Sequence, residues 1–369
     1  MEKQETISPI QTVLLFLAGM TGSSIVLIPG PLTGAARNGA WLSLLFAFLV
    51  GMILLACILY LHHCYPGLSL IEYSRQAIGS GLSLLFAVPF ILTLFWQESA
   101  IVMEIGDFFK STMMKNTPTS FINAMFFITI GLTARAGIEV MARMFVVLLF
   151  IMFGFIFVVW VLVAPYYHFE YVLPIMPDGI KPILHGAYIS LGFPYVEIVI
   201  YSMLLPSTRP QASQKLGKYM FGALAINGVT LIISILVSIM VFGPVAGDLK
   251  YSLYQLARLI FIEEIIERIE SVIGISLIAG SFMKASIVLF ILAKAMSQVF
   301  RITNYRLLIL PIALIALLLS VTMYSNGAAF NEDGYTVWPL TDSLVYALPT
   351  LLIVIVTLLK KTKTGRHPT

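Results

Sequence analysis

The chain has 369 residues, 59% of them hydrophobic and only 11% charged, with a mean hydropathy of +0.96. A soluble domain carries about 25% charged residues, so a water-soluble enzyme or a nucleic-acid-binding module is excluded and a polytopic membrane protein is expected. The formal net charge of +4 says less than the positions of the charges do.

Residues 1–9 have mixed charge and lead straight into a long apolar run, which does not read as a cleavable signal peptide. Apolar windows of membrane length follow at 10–31, 40–61, 82–109, 119–133, 140–164, 180–205, 216–243, 271–300, 304–324 and 338–359. The first is interrupted near its middle by Gly19, Thr21, Gly22, Ser23 and Ser24. Glycine lets backbones or ligands approach closely, and loosened backbone at bilayer depth is tolerated only inside protein or along a polar cavity. Cys57 and Cys64, on or just after the second window, suggest neither a disulfide framework nor a metal site. Two amphipathic pieces, Leu68 to Ile78 and Leu249 to Glu270, are too charged to span and belong along the interface or over the outer face.

The sixth window carries a second interruption, Ser190-Leu191-Gly192-Phe193-Pro194-Tyr195. Proline removes a backbone donor and clashes with the preceding turn, freeing carbonyls near Ser190. Phe193 and Tyr195 would then form an aromatic wall. Two interrupted spans in corresponding places mark the substrate site of an inverted-repeat transporter. At the first, a half-helix starting near Ser24 would present free N–H groups to a carboxylate. Close packing of small residues, or a proline kink without a ligand, would leave the same pattern.

Lys3, Arg75, Arg135, Arg143, Arg209, Lys215, Lys218, Arg301, Arg306, Lys360, Lys361, Lys363 and Arg366 fall on one side of this arrangement. Fewer basic residues fall on the other, which puts both termini in the cytoplasm and requires an even number of spans. Ten satisfies that. The Pro/Tyr/His-rich stretch from Pro165 to Pro182 divides the chain into five spans over 10–164 and five inverted spans over 180–360, within one membrane domain of residues 1–369.

Ionisable residues inside the windows are few: Glu98 beside Gln97, Glu104 and Asp107 further along the third, Glu197 after the second break, and Lys284 and Lys294 in the eighth. A mid-bilayer charge is costly and faces a partner in the bundle. Lys284 is expected to pair with Glu98 or Glu197, either gating the site or serving as a buried structural pair. Lys294 is expected to snorkel. The five histidines lack ligand spacing, and no phosphate loop, zinc motif or nucleophile elbow occurs, so neither catalysis nor a cofactor is expected.

The ten windows with a Gly/Ser-broken first member resemble the amino acid–polyamine–organocation transporter superfamily. Within it, the chain is similar to the B subunits of spore germinant receptors. That likeness rests on Phe193-Pro194-Tyr195-Val196-Glu197-Ile198 leading to Leu205-Pro206, and on Glu267-Arg268-Ile269-Glu270-Ser271. Glu98 and Glu104 followed by Asn116-Thr117-Pro118, and the basic Lys360-Lys361 tail, agree with it. The resemblance implies an all-α LeuT-type fold with a 5+5 inverted repeat, a place in the inner membrane of a bacterial endospore, and assembly with an A subunit and a lipoprotein C subunit. It also implies binding of a nutrient that triggers germination, an amino acid above others. By the same analogy the nutrient-contacting positions are Thr21, Gly22, Ser23, Ser24, Ile25, Leu191, Gly192 and Phe193, with Phe90, Leu94 and Glu98 on the third span. Lys284 near a position that holds sodium in some transporters of this fold implies no sodium dependence. A cation-coupled permease and a non-binding scaffold subunit are the competing readings.

Overall fold

The computed structural model describes residues 5–209, 215–260, 269–324 and 327–364. They form a helical bundle with ten membrane-length elements. The first is α1 (Pro9–Thr21), α2 (Ser24–Leu27) and α3 (Pro29–Ala36) in series, followed by α4 (Ala40–Cys64), a short α5 (Leu70–Ile78), α6 (Ser80–Thr112), α7 (Thr119–Ala136) and α8 (Ile138–Leu162). The sixth begins as α9 (Ile180–Ser190) and continues as irregular helical turns to Met203. Then come α10 (Leu216–Phe242), a short α11 (Ser252–Leu259), α12 (Ile269–Phe300), α13 (Arg306–Thr322), and the tenth element, α14 (Gly327–Asp342) with α15 (Leu348–Thr364). Nine stretches among the described residues are long and apolar enough to cross a membrane, and α13, at 17 residues, is a shorter apolar helix at the lower limit of spanning length.

Local chemistry sets the helix ends. Ser8 caps α1 in a reciprocal box with Gln11, whose amide N–H donates to Ser8 Oγ at 3.2 Å. Ser69 and Glu72 do the same for α5. Gly137, at φ +96°, turns the chain between α7 and α8, a conformation that suits glycine.

Helix α12 is the axis of the bundle: from Met283 to Ala293 every side chain is buried. A helix apolar all round belongs in the middle of a bundle. Its neighbours are α6, α8, α7, α13 and α1. On the outer helices, by contrast, large apolar side chains such as Phe150, Leu314, Leu318 and Ile355 are exposed, as lipid-facing surfaces are. Helix α5 is docked rather than free at the interface. It buries Leu70, Ile71, Tyr73 and Ala77, and Arg75 donates to the Gln298 carbonyl at 2.9 Å. Of the second amphipathic piece, Ser252–Leu259 lies over the bundle with Leu253 and Leu256 buried; residues 261–268, including Glu267 and Arg268 of the expected motif, fall outside the described residues.

The face that carries the termini is sealed. The Ile7 N–H donates to the Ser207 carbonyl at 2.9 Å and the Arg209 N–H to the Ile7 carbonyl at 3.0 Å, a parallel bridge pinning the entry of α1 to the end of the sixth span. Glu5 accepts from Arg306 and from the Ile138 N–H. Lys294, rather than snorkelling, donates to Ser207 Oγ at 3.1 Å and joins this seal.

Candidate functional site

The first interruption is real but compact. Helix α1 ends at Gly22, α2 is only four residues long, and the Ser24 hydroxyl donates back to the Met20 carbonyl at 2.7 Å. No extended half-helix presents its amides at Ser24. Gly22 lies against Gly280 of α12 so closely that a Cβ on either would strike the other's carbonyl. Here the small residues serve helix packing. Thr21 accepts from the Asn227 side-chain amide at 3.2 Å, and Ile25 is buried in the core.

The second interruption aims a side chain. Phe193 has φ −133° and ψ 120°, an extended residue within helical turns, and this turns its ring inward. Tyr195 points elsewhere, packing edge-on against Phe48 at 5.9 Å, so the expected wall holds Phe193 without Tyr195. Gly192 lies against the Pro339 backbone on α14, where a Cβ would not fit.

Between the two interruptions lies a cleft of roughly 750 Å³ counted to its open mouth. Span 1 contributes Ser23 and Leu27, and span 6 contributes Phe193 and Glu197. Gln97 and Glu104 on α6, with Phe330, Tyr335 and Trp338 on α14, form the opposite side. The lining also includes Lys250 from the connection before α11, and Asn331 and Gly334 near the start of α14, so the mouth opens away from the terminal face.

At the floor, Lys284 Nζ donates to Glu197 Oε2 at 2.6 Å, both side chains being 1% exposed. The same ammonium stands 4.0 Å from the centroid of the Phe193 ring. A buried cation is thus matched by a carboxylate on one side and an aromatic face on the other. Glu98 is not its partner: it is fully buried, away from the cleft lining, with neither carboxylate oxygen hydrogen-bonded. Nearby, Asp342 accepts from the Trp338 indole N–H at 2.6 Å. The mouth carries a second pair, Lys250 Nζ with Asp107 Oδ2 at 2.7 Å, which Tyr251 also contacts through its hydroxyl.

Of the residues singled out from sequence, the cleft gathers Ser23, Gln97, Glu104, Phe193, Glu197 and Lys284. Thr21, Gly22, Ser24, Ile25, Leu94, Glu98, Leu191 and Gly192 do not line it. Phe90 lines a smaller cavity toward the terminal face instead, edge-on to Tyr346 at 5.5 Å. The aromatic wall of α14 escaped sequence reading because Asn331-Glu332-Asp333 depress the local hydropathy. The tenth span consequently starts at Gly327 rather than Trp338. The four-residue spacing of Phe330, Gly334, Trp338 and Asp342 was the available signal. Among the described residues no cluster of three potential metal ligands occurs.

Comparisons with known proteins bear on the family and the fold. A family model described as spore germination protein matches residues 6–328. Spore germination protein KB of Bacillus subtilis is 27% identical over 367 residues, covering 98% of this chain and 97% of its own length. Among solved structures, a manganese transporter of Eremococcus coleocola superposes with a TM-score of 0.66 at 12% identity, covering 100% of this chain and 93% of that one. A nucleobase–cation symport family transporter gives 0.63 at 13% identity, covering 96% and 91%. The fold is therefore that of the LeuT-type transporters, and the matches are to germination proteins and transporters, not to enzyme families.

Proposed function

Because this chain belongs to the spore germination protein family, we propose that it is the membrane-embedded subunit of a nutrient receptor, binding a small molecule, an amino acid in the first instance, to trigger germination. The observation that carries this reading is the cleft between the two interrupted spans, open on one face while the terminal face is shut by the Ile7–Ser207 and Glu5–Arg306 contacts. A scaffold that binds nothing would pack its interrupted spans without a void, which disfavours that alternative.

In this proposal the chain sits in the inner membrane of the spore, with both termini cytoplasmic and partnered by an A subunit and a lipoprotein C subunit. Its halves, 10–164 and 180–360, rock about the Lys284–Glu197 pair. Ligand shifts the balance between open and closed bundles only by its differential affinity for the two. The partner subunits read that shift. A cation-coupled permease is the second reading, since Glu197 offers a titratable group at the cleft floor, with Asp342 buried behind Trp338.

Proteoliposomes carrying this chain alone separate the two. Saturable binding of labelled amino acids without concentrative uptake supports the receptor. Uptake driven by an imposed proton gradient supports the permease.

A further inference from the structure

Four charged residues line the cleft, Glu104, Glu197, Lys250 and Lys284, and they do not pair off among themselves. Lys284 is taken by Glu197 at 2.6 Å and Lys250 by Asp107 at 2.7 Å. Glu104, half-buried on α6 one turn before Asp107, has no hydrogen-bond or ion-pair partner among the described residues. Glu104 is thus the one lining carboxylate without a paired cation, because Lys250 is held by Asp107, which does not itself line the cleft, and an unpaired carboxylate at this depth is costly. Three further lining atoms are buried without a hydrogen bond of normal length, Ser23 Oγ, Gln97 Nε2 and Glu197 Oε1, the Gln97 amide facing the Glu197 carboxylate. Buried polar groups in native proteins are normally satisfied, and a cleft wall with several that are not has the form of a site awaiting a polar ligand.

Resting on the receptor reading, we propose that the ligand carries an ammonium group and that Glu104 is its counter-charge. The Gln97 amide N–H and the Ser23 hydroxyl then donate to an acceptor at the ligand's other end, while Phe330, Tyr335 and Trp338 enclose its apolar part. Glu104 is thus the residue that selects charge. Zwitterionic amino acids and their cationic amides satisfy it, whereas N-acylated amino acids, which are anions without an ammonium, are repelled.

The test uses the full chain in lipid nanodiscs and reads thermal stabilisation and equilibrium binding. The probes are the twenty amino acids, the amide and N-acetyl derivative of each that binds, and the uncharged compounds inosine and glucose. The expected result is binding of one or more amino acids, retained by the amide and lost by the N-acetyl form. Glu104→Gln, with the unliganded protein still folded, should weaken the amino acid about 10- to 100-fold, the worth of a charge-assisted hydrogen bond. Glu104→Asp, which keeps the charge, should recover part of it. Equal binding of the amino acid and its N-acetyl form, binding of the uncharged probes alone, or unchanged affinity in Glu104→Gln overturns the role of Glu104 while leaving the cleft a ligand site. A wild-type chain that none of the probes stabilises overturns the receptor reading, and this inference with it.

Discussion

Replacing Lys284 with methionine removes one half of a fully buried ion pair. The two side chains are 1% exposed and 2.6 Å apart. Methionine leaves the Glu197 carboxylate with no cation beside it and Phe193 with no ammonium over its ring. Breaking a buried pair by deleting one partner costs about 3–5 kcal/mol, and the lost cation–π contact adds about 1–2 kcal/mol. The sum is a large share of the 5–15 kcal/mol that holds a typical domain together. Removing both charges is a different perturbation, because two uncharged side chains of similar size leave nothing uncompensated. Lys284→Met combined with Glu197→Gln should therefore lie within about 2 kcal/mol of wild type. The assay is equilibrium unfolding in bicelles by steric trapping, applied to wild type, both single variants and the double variant. The cycle isolates the coupling between the sites, which these figures put at roughly 5 kcal/mol or more. Additive single-variant effects, with the double variant the least stable of the four, would refute the argument that the pair is matched. The same double variant also separates stability from gating: if folded yet unresponsive to ligand, it assigns the pair a conformational role.

Three more outcomes follow from the packing. Gly22→Ala should destabilise the chain by 1–3 kcal/mol or more, since a Cβ there meets the Gly280 carbonyl of a neighbouring helix rather than a movable side chain; lowered yield and unfolding midpoint in detergent report it. Phe193→Ala should weaken ligand binding at least about tenfold by removing an aromatic face from the cleft, read by the same nanodisc titrations used for Glu104. Arg306→Ala takes the cation from Glu5, leaving it the Ile138 N–H, and should loosen the terminal seal, so amide exchange at Ile7 and Arg209 should accelerate by roughly an order of magnitude. Unchanged exchange there would mean that the Ile7–Ser207 bridge holds without the ion pair.

The amino-acid sequence by itself determined the class of the protein, its ten apolar segments and the places where the first and sixth are interrupted. These follow from local quantities. Hydropathy over some twenty residues decides what crosses a bilayer, and Gly, Ser and Pro within such a run decide where helical hydrogen bonding fails. The rarity of charge inside the windows also marked Glu197 and Lys284, because each must be matched somewhere.

Which carboxylate matches Lys284, and which face of each interruption meets open space, were decided only in three dimensions. Gly22 and Ser23 are adjacent in the chain, yet Gly22 is spent on the α12 backbone and Ser23 lines the cleft. Phe193 and Tyr195 differ likewise, one turned inward by an extended residue and the other packed on Phe48. A side chain's direction depends on helix rotation and on the neighbour that happens to fill the other side, and local composition records neither. The wall of α14 depends on the same long-range choice: hydropathy scored Asn331-Glu332-Asp333 as a loop, whereas burial of Phe330 and Trp338 against α6 makes the segment a helix.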